Sequence, residues 1–363
     1  MSTALTGPAQ DLGKNMLSGV QAAFERVNRN GGIHEQRLRL IALDDGYEPV
    51  RTAPNMNQLI DQDHVLAVIG NVGTPTAITA VPISNQKKTL LYAAYTGAGV
   101  LRKDPPDRYV INYRASYAEE IAAMINALID TLGYKIDEIA FFTQRDGYGD
   151  AGFDGGINAL KRHGLQDETE ITHVRYERNT VAVENAVADI LVTDKLPRAI
   201  IMVGAYAPCA KFIKLAKENG LKALYLNVSF VGSNPLAQQL KEIGEKEVIV
   251  TQVVPHYESD LDIAQEYRKD LAILNSKEQP SFGGLEGYIA ARILALALDE
   301  INGEITRENI IDALLSLGKF NIGMDEDLLL NIENRQASHI IWPTILKDGQ
   351  FIPFMWEELK GSN

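Results

Sequence analysis

Apolar residues follow two different spacings along the first third of the chain. Stretches with an apolar residue every three or four positions are typical of helices, whereas short continuous or alternating apolar runs are typical of strands. They predict a helix over 13–29, a strand over 37–45, a helix over 50–62, a strand over 64–70, a helix over 74–86 and a strand over 89–94. This alternation predicts a parallel sheet covered by helices on both faces.

The same alternation starts again after residue 116. It predicts helices over 117–132, 150–163, 183–193 and 207–219, and strands over 138–143, 171–178, 198–204, 222–228 and 247–257. Two further helices, 284–301 and 306–316, precede a strand-like tail over 338–354 that contains the turn signal Lys-Asp-Gly-Gln. The pattern predicts an α/β fold of two lobes, with the late helices returning to the first lobe and the tail to the second.

Composition narrows the classes of function. The formal net charge of −13 argues against a nucleic-acid partner. The single cysteine, Cys209, excludes an intrachain disulfide, and its apolar surroundings in a predicted helix favour a packed thiol over a reactive one. The six histidines form no metal-binding motif, and the sequence contains no nucleophile elbow or P-loop. We therefore expect no metal, no cofactor and no catalytic residues.

Residues 147–152, Gly-Tyr-Gly-Asp-Ala-Gly, match the G-x-G-x-x-G pattern of dinucleotide-binding loops. Asp146 and Asp150 flank the place that a pyrophosphate would occupy, and two carboxylates there would repel it. The pattern by itself is also weakly specific. We interpret the glycines as a tight turn that presents Tyr148 at the carboxyl edge of a sheet, and a nicotinamide enzyme remains a minor alternative.

Small, polar or aromatic residues follow other predicted strands at their carboxyl ends. The residues concerned are Thr74, Ala94, Tyr95, Thr96 and Tyr206. Ligands of open α/β sheets bind at that edge. Four such loops, spread over two lobes, favour one ligand site in a cleft between the lobes.

Six stretches, in this order, make the chain similar to a known family: LTGPAQDLGKNMLSGVQAAFERVNRNGGI, AVIGNVGTPTA, YTGAGVLR, YVINYRASYAEE, RDGYGDAG and LEGYIAARIL. Over almost its whole length the chain resembles the type I periplasmic substrate-binding proteins, in the branch that binds leucine, isoleucine and valine. The resemblance implies two Rossmann-like lobes with parallel sheets, joined by three hinge crossings, and no enzymatic activity. Lobe 1 would comprise residues 1–116 and 255–333, and lobe 2 residues 117–254 and 334–363.

The resemblance also implies roles for residues at the strand ends. Gly73 and Thr74 would bind the ligand carboxylate through backbone N–H and hydroxyl groups, while Ala94 and Thr96 would bind the α-substituent. Tyr148 would cover the ligand from lobe 2. The other expected contacts are Leu12, Tyr95, Tyr206, Ser229, Phe230 and Glu286.

The counter-charge for a ligand ammonium group is an open question at this point. Amino acid binders of the family carry Glu or Asp where this chain has Ser229, and a buried ammonium without a carboxylate is unfavourable. Either the ligand is not a standard α-amino acid or another acid supplies the charge, and Glu286 is a candidate although a role at its helix N-terminus is simpler. We interpret Glu119 and Glu120 as helix N-terminal acids, and Arg114 as half of a salt bridge between the lobes.

The resemblance therefore implies an extracytoplasmic, periplasmic solute-binding protein that captures an amino acid or related small carboxylate and delivers it to the membrane subunits of an ABC permease. The alternative is the ligand-sensing input domain of a bacterial signalling receptor, or an amide-type regulator. We expect a monomer or weak dimer. Because family members carry a strand immediately before the stretch at 2–8, we expect a chain with about ten more natural residues at its start to be more stable.

Overall fold

The computed structural model of the protein describes residues 1–241 and 247–360. The chain divides into two compact units, Met1–Ala115 with Val254–Ile340, and Ser116–Val253 with Ile341–Asn363. The late helices lie in the first unit and the tail in the second. The sequence had placed residues 334–340 in the second lobe, but they lie in the first unit. Ala337 and Ser338 there donate backbone hydrogen bonds to the carbonyls of Asn112 and Tyr113, at 3.0 and 2.8 Å.

Fourteen strands lie in the described part of the chain. They are β1 (Ser2–Thr3), β2 (Leu43–Asp44), β3 (Ala67–Ile69), β4 (Leu90–Tyr92), β5 (Val110–Ile111), β6 (Ile139–Gln144), β7 (His173–Tyr176), β8 (Ala199–Val203), β9 (Leu224–Asn227), β10 (Val248–Gln252), β11 (Gly318–Phe320), β12 (Leu328–Leu330), β13 (Trp342–Lys347) and β14 (Gln350–Pro353).

Eleven α-helices lie in the same residues. They are α1 (Gln10–Arg29), α2 (Pro49–Asn57), α3 (Thr74–Gln86), α4 (Tyr117–Asn126), α5 (Gly147–Arg162), α6 (Glu184–Leu191), α7 (Tyr206–Glu218), α8 (Ser233–Leu240), α9 (Asp262–Leu274), α10 (Phe282–Asp299) and α11 (Arg307–Ser316). Helices α2 and α4 continue as single π-helical turns, Gln58–Gln62 and Ala127–Thr131. Short 3₁₀ turns occupy Gly99–Leu101, Ile136–Glu138, Glu168–Glu170, Ser229–Val231 and Trp356–Leu359. No helix in the described residues has the length and apolar character that a bilayer span requires.

The first unit contains a parallel sheet in the order β3-β4-β5, a parallel pair β1-β2 and an antiparallel pair β11-β12. Buried apolar side chains of α2, α3 and the parallel sheet form one core cluster, which includes Met56, Val68, Ala77, Val81 and Leu91. This cluster fixes α3 against the sheet, and thereby sets where the helix begins.

The predicted strand over 37–45 is wrong for most of its length. Leu43 and Asp44 pair with β1, whereas the backbone of Leu38 exchanges hydrogen bonds with the side chain of Asn28. Residues 36–41 instead border a cavity of about 330 Å³. The alternation separates the exposed Arg37 and Arg39 from the half-buried Leu38 and Leu40. A strand also needs a hydrogen-bonded neighbour, which alternation does not reveal.

The second unit contains one sheet of seven strands in the order β14-β13-β10-β9-β8-β6-β7. The strands from β10 to β7 are parallel, and β13 and β14 are antiparallel additions. The turn predicted between the last two strands is confirmed. Asp348 and Gly349 both have positive φ, 51° and 77°, as a two-residue hairpin turn requires.

Two helices, α8 and α9, were not predicted from the sequence. In α9, Ile263, Tyr267 and Leu271 lie four residues apart and are buried. This spacing is a helical signal, but the surrounding charged residues weaken it.

His173 of β7 is a partly buried histidine in the second unit. Its Nε2 lies 2.8 Å from the Thr143 hydroxyl of β6, and its ring stacks on Phe153 with centroids 3.8 Å apart. Burial, with the nearby Arg175 and Arg145 charges, lowers the pKa of His173 from 6.5 to about 4, although Asp150 opposes this. Between these two values the unfolded chain binds a proton that the folded chain does not, so the free energy of unfolding falls as the pH falls from 6.5 to 4.

We expect His173→Gln to weaken this pH dependence, because the variant has no imidazole to protonate on unfolding. Urea denaturation at pH 7 and pH 5 measures the difference in unfolding free energy for each chain. The matched control is His34→Gln, at an exposed position of the first unit. An identical pH dependence in wild type and His173→Gln would show that His173 is not the group responsible.

Candidate functional site

A candidate site in the first unit lies where β3 and β4 end. A parallel bridge between Val72 and Tyr95 continues their pairing past the last strand residues, and Gly73 donates its N–H to the Tyr95 carbonyl at 3.2 Å. These contacts bring the two loops to the same edge of the sheet. Parallel strands end together at such an edge, which is why ligands of α/β proteins bind there.

Helix α3 begins at this edge, as the sequence predicts. Ala77 donates the first helical hydrogen bond, to the Gly73 carbonyl. A helix has no acceptor of its own for the N–H groups of its first turn, which here belong to Thr74 and Thr76 because Pro75 has none. These groups and the positive end of the helix dipole suit a carboxylate.

The hydroxyl groups of Thr74 and Thr96 lie 2.7 Å apart and are buried. One hydroxyl donates to the other, and the one that accepts keeps its own proton for a further acceptor. The structure therefore brings together two residues that the sequence predicted from separate loops.

Gly73 holds a backbone conformation that requires glycine. Its φ of 99° and ψ of 157° lie in a region that other residues do not adopt. A Cβ atom at this position would lie 2.0 Å from Cε2 of Tyr47. The Tyr47 ring therefore packs directly against the start of α3. Tyr47 is buried, and its own backbone has a φ of 63°. Sequence reasoning missed Tyr47, since no local pattern marks it.

Two more predicted residues, Tyr95 and Glu286, contact Arg114. The Arg114 guanidinium lies over the Tyr95 ring, 4.7 Å from its centroid, and its Nε lies 3.2 Å from a carboxylate oxygen of Glu286. All three side chains are buried. Arg114 thus forms a salt bridge with Glu286, and both residues belong to the first unit. A salt bridge of Arg114 between the lobes stays a prediction. A carboxylate paired in this way is less available as a counter-charge for a ligand.

Leu12 and Ala94 complete the predicted residues of the first unit. Leu12 is buried within α1, and Ala94 is buried between β4 and Thr96, whose N–H donates to the Ala94 carbonyl at 2.8 Å. The Ala94 carbonyl is therefore already a hydrogen-bond acceptor within its own loop.

In the second unit, the glycine-rich stretch begins helix α5. Asp146 caps the helix by accepting from the Tyr148 N–H at 3.0 Å, so a carboxylate of the chain itself occupies the helix start. A Cβ at Gly149 would lie 1.9 Å from the Gln144 carbonyl oxygen, which shows that this glycine permits close packing of α5 on β6. The arrangement agrees with a tight turn and disfavours a pyrophosphate site.

Tyr148 belongs to a cluster of three buried aromatic rings in the second unit. Its ring centroid lies 4.7 Å from that of Phe230 and 5.2 Å from that of Tyr117, the first residue of α4. The Tyr148 hydroxyl donates to the Gly204 carbonyl at 3.4 Å, two residues before Tyr206 begins α7. These contacts bring Tyr148 close to Phe230 and to the loop that precedes Tyr206.

Glu120 is a buried carboxylate beside this cluster. It accepts the N–H of Ser229 at 2.7 Å, the hydroxyl of Ser229 at 2.9 Å and the hydroxyl of Thr251 at 2.7 Å. Glu120 lies in the first turn of α4, as the sequence predicts, and its carboxylate also binds Ser229 and Thr251. Glu119 lies in the same turn and forms a capping box with Ser116. The two residues are adjacent in the sequence, but the helix places them at different positions around its axis.

Other features of the structure lie away from this site. A cavity of about 680 Å³ in the second unit borders Arg198, Leu224 and Glu247, at the amino ends of β8, β9 and β10. Ligands of parallel sheets bind at the opposite edge, so we do not assign the site to it. Burial raises the pKa of the Cys209 thiol, as expected of a packed cysteine. Within residues 1–241 and 247–360, no group of three or more His, Cys, Asp and Glu side chains is arranged to hold a metal ion.

The sequence is similar to those of several known binding proteins. A sequence profile described as "Periplasmic binding protein" matches residues 1–350. An "Amino acid binding protein" from Pseudomonas aeruginosa is 23% identical over 236 residues, which cover 64% of this chain and 60% of that protein. A "Leu/Ile/Val-binding protein homolog 7" from Brucella abortus is 22% identical over 361 residues, which cover 92% of this chain and 85% of that protein.

The structure is also similar to solved structures of proteins of this kind. A crystal structure described as that of a possible leucine/isoleucine/valine-binding protein from Rhodopirellula baltica SH 1 has a TM-score of 0.96 and 49% sequence identity. The match covers 99% of this chain and 96% of the other. The predicted fold class, α/β with mostly parallel sheets, is thereby confirmed.

We expect Gly73→Ala to destabilise the protein by roughly 2 kcal/mol or more, because the new methyl group meets the Tyr47 ring and the backbone is strained. The melting temperature measures the effect. Gly99→Ala is the matched control, since a Cβ there meets nothing within 4 Å. Equal melting temperatures of the two variants would contradict the described packing at the start of α3.

Proposed function

This chain belongs to the periplasmic binding protein family, and from that premise we propose that it binds a small amino acid or a related carboxylate outside the cytoplasm and delivers it to an ABC permease. The proposal includes no chemical step, since the function is to hold the ligand and release it unchanged.

One observation carries the proposal: the start of α3 and the Thr74–Thr96 hydroxyl pair lie together at the carboxyl edge of β3 and β4. The backbone N–H groups, the helix dipole and a hydroxyl proton are all donors or positive in character. A carboxylate accepts hydrogen bonds from all of them. Bonds to an ionised acceptor in a buried place are stronger than those between neutral groups.

The second unit supplies a different kind of surface. Tyr148, Phe230 and Tyr206 carry aromatic rings, which suit contact with an apolar side chain. We propose that these residues contact the apolar side chain of the ligand.

The names of related proteins narrow the ligand class. The protein from Brucella abortus is named for leucine, isoleucine and valine, and the structure from Rhodopirellula baltica is described with the same three amino acids. We therefore propose an amino acid with a branched apolar side chain as the ligand, and leucine as the first one to test.

We expect leucine to bind the wild-type protein and Thr96→Val to bind it roughly tenfold to a hundredfold more weakly, because a buried hydroxyl that serves a charged group is lost. Isothermal titration calorimetry measures both affinities. The matched control is Thr79→Val, at a half-buried position farther along α3, and its affinity should equal that of wild type.

A second pair of variants tests the contribution of the other unit. Tyr148→Ala should weaken leucine binding, whereas Tyr134→Ala, which removes another buried tyrosine of the same unit beside Arg198, should leave it unchanged. Unchanged affinity in both Thr96→Val and Tyr148→Ala would place the ligand elsewhere. If the wild type binds no amino acid, amide, keto acid or aromatic acid, the proposed function is wrong.

A further inference from the structure

The cavity of about 680 Å³ in the second unit lies on the side where β9 and β10 begin. Because β13 runs antiparallel to β10, its last residues lie beside the start of β10, and the hairpin of β13 and β14 forms one wall of the cavity. Cavities that hold small ligands have volumes of roughly 300–1,000 Å³. The preference of ligands for the carboxyl edge applies to parallel strands, whereas this wall is antiparallel.

Much of the cavity lining is apolar. Six aliphatic or aromatic side chains border it: Leu132, Leu224, Ile345, Ile352, Phe354 and Leu359. Ile345 and Ile352 are cross-strand partners, which places both side chains on the same face of the hairpin. Apolar surface that borders open space is stabilised when the apolar body of a ligand removes it from water.

Three cationic side chains border the same cavity. Arg198 directly precedes β8, Lys222 lies two residues before β9, and Lys347 ends β13. The sheet order β13-β10-β9-β8 brings these three positions to one edge. Neither Lys222 nor Lys347 forms a salt bridge with any residue that the structure describes. Their charges are therefore available to a bound anion.

Arg198 is held at the cavity wall by its neighbours. Its guanidinium lies over the ring of Tyr134, 4.4 Å from the ring centroid, and Tyr134 also borders the cavity. One guanidinium nitrogen lies 3.5 Å from a carboxylate oxygen of Glu138. Stacking on an aromatic ring leaves the edge of a guanidinium able to donate hydrogen bonds.

Two acids also border the cavity, Glu247 and Glu358. Glu247 forms a salt bridge with Lys217 at 2.7 Å, so its charge is already balanced. Glu358 is exposed and accepts the N–H of Met355 at 2.7 Å. Three cations against these two acids leave the lining with an excess of positive charge.

We infer that this cavity is a second binding site, and that its ligand is an aliphatic monocarboxylate. The carboxylate binds at the edge that carries Arg198, Lys222 and Lys347, and the aliphatic chain lies against the leucine and isoleucine side chains. An amino acid is a poorer ligand for this site, because the same three cations repel its ammonium group. The site shares no residue with the one at the start of α3.

The test uses octanoate as the probe, with two matched compounds. Octanamide keeps the aliphatic chain without the charge, and acetate keeps the carboxylate without the chain. Isothermal titration calorimetry with the wild-type protein should show octanoate binding at least roughly threefold more tightly than either compound, because only octanoate uses both the cations and the apolar lining. Equal affinities for octanoate and octanamide, or no binding of octanoate, would overturn the inference.

A pair of substitutions locates the site. Lys222→Gln with Lys347→Gln should weaken octanoate binding roughly threefold to thirtyfold, because two partners of the carboxylate are lost. The matched control is Lys269→Gln with Lys277→Gln, which removes two exposed lysines of the first unit and should bind octanoate like wild type. Equal octanoate affinity in the two double variants would place octanoate elsewhere and overturn the inference.

Leucine distinguishes this site from the one proposed above. The variant Lys222→Gln with Lys347→Gln should bind leucine as tightly as wild type does. An equal loss of affinity for leucine and octanoate would contradict a separate site. If wild type binds octanoate in the cavity and binds no amino acid, the proposed function fails while this inference stands, so the two failures are distinguishable.

Discussion

The contact on which the account depends is the hydroxyl pair of Thr74 and Thr96, which joins the first turn of α3 to the loop after β4. The residues around this pair hold the first turn of α3 in place. Gly73 adopts a conformation open to glycine alone, the Tyr47 ring packs against it, and the core beneath α3 fixes the helix on the sheet. A binding site built on a helix start is precise because neither element can shift without disturbing a packed core.

The second unit uses different chemistry at the corresponding edge of its own sheet. Three aromatic rings lie together, and the loop that carries one of them is fixed by Glu120 through the backbone and hydroxyl of Ser229. The start of α3 in the first unit suits a carboxylate, and the aromatic rings of the second unit suit an apolar side chain. These two chemistries, each within its own unit, are the reason for proposing an amino acid as the ligand.

The fold class followed from the alternating periodicity of the sequence, and most of the helices and strands of the second unit lie close to their predicted places. Periodicity did not predict which side chains contact each other, because those contacts join residues far apart in the chain. Glu119 and Glu120 illustrate this: the sequence treats them alike, whereas the structure makes one a cap and buries the other. Arg114 was predicted to form a salt bridge, but periodicity contains no information that identifies Glu286 of the same unit as its partner.

The most direct measurement is a crystal structure of the protein with leucine bound. The account predicts that the leucine carboxylate lies within hydrogen-bonding distance of the Thr74 N–H and a threonine hydroxyl of the Thr74–Thr96 pair. Leucine in the cavity beside Arg198 and Glu247, at the amino ends of the strands, would contradict it.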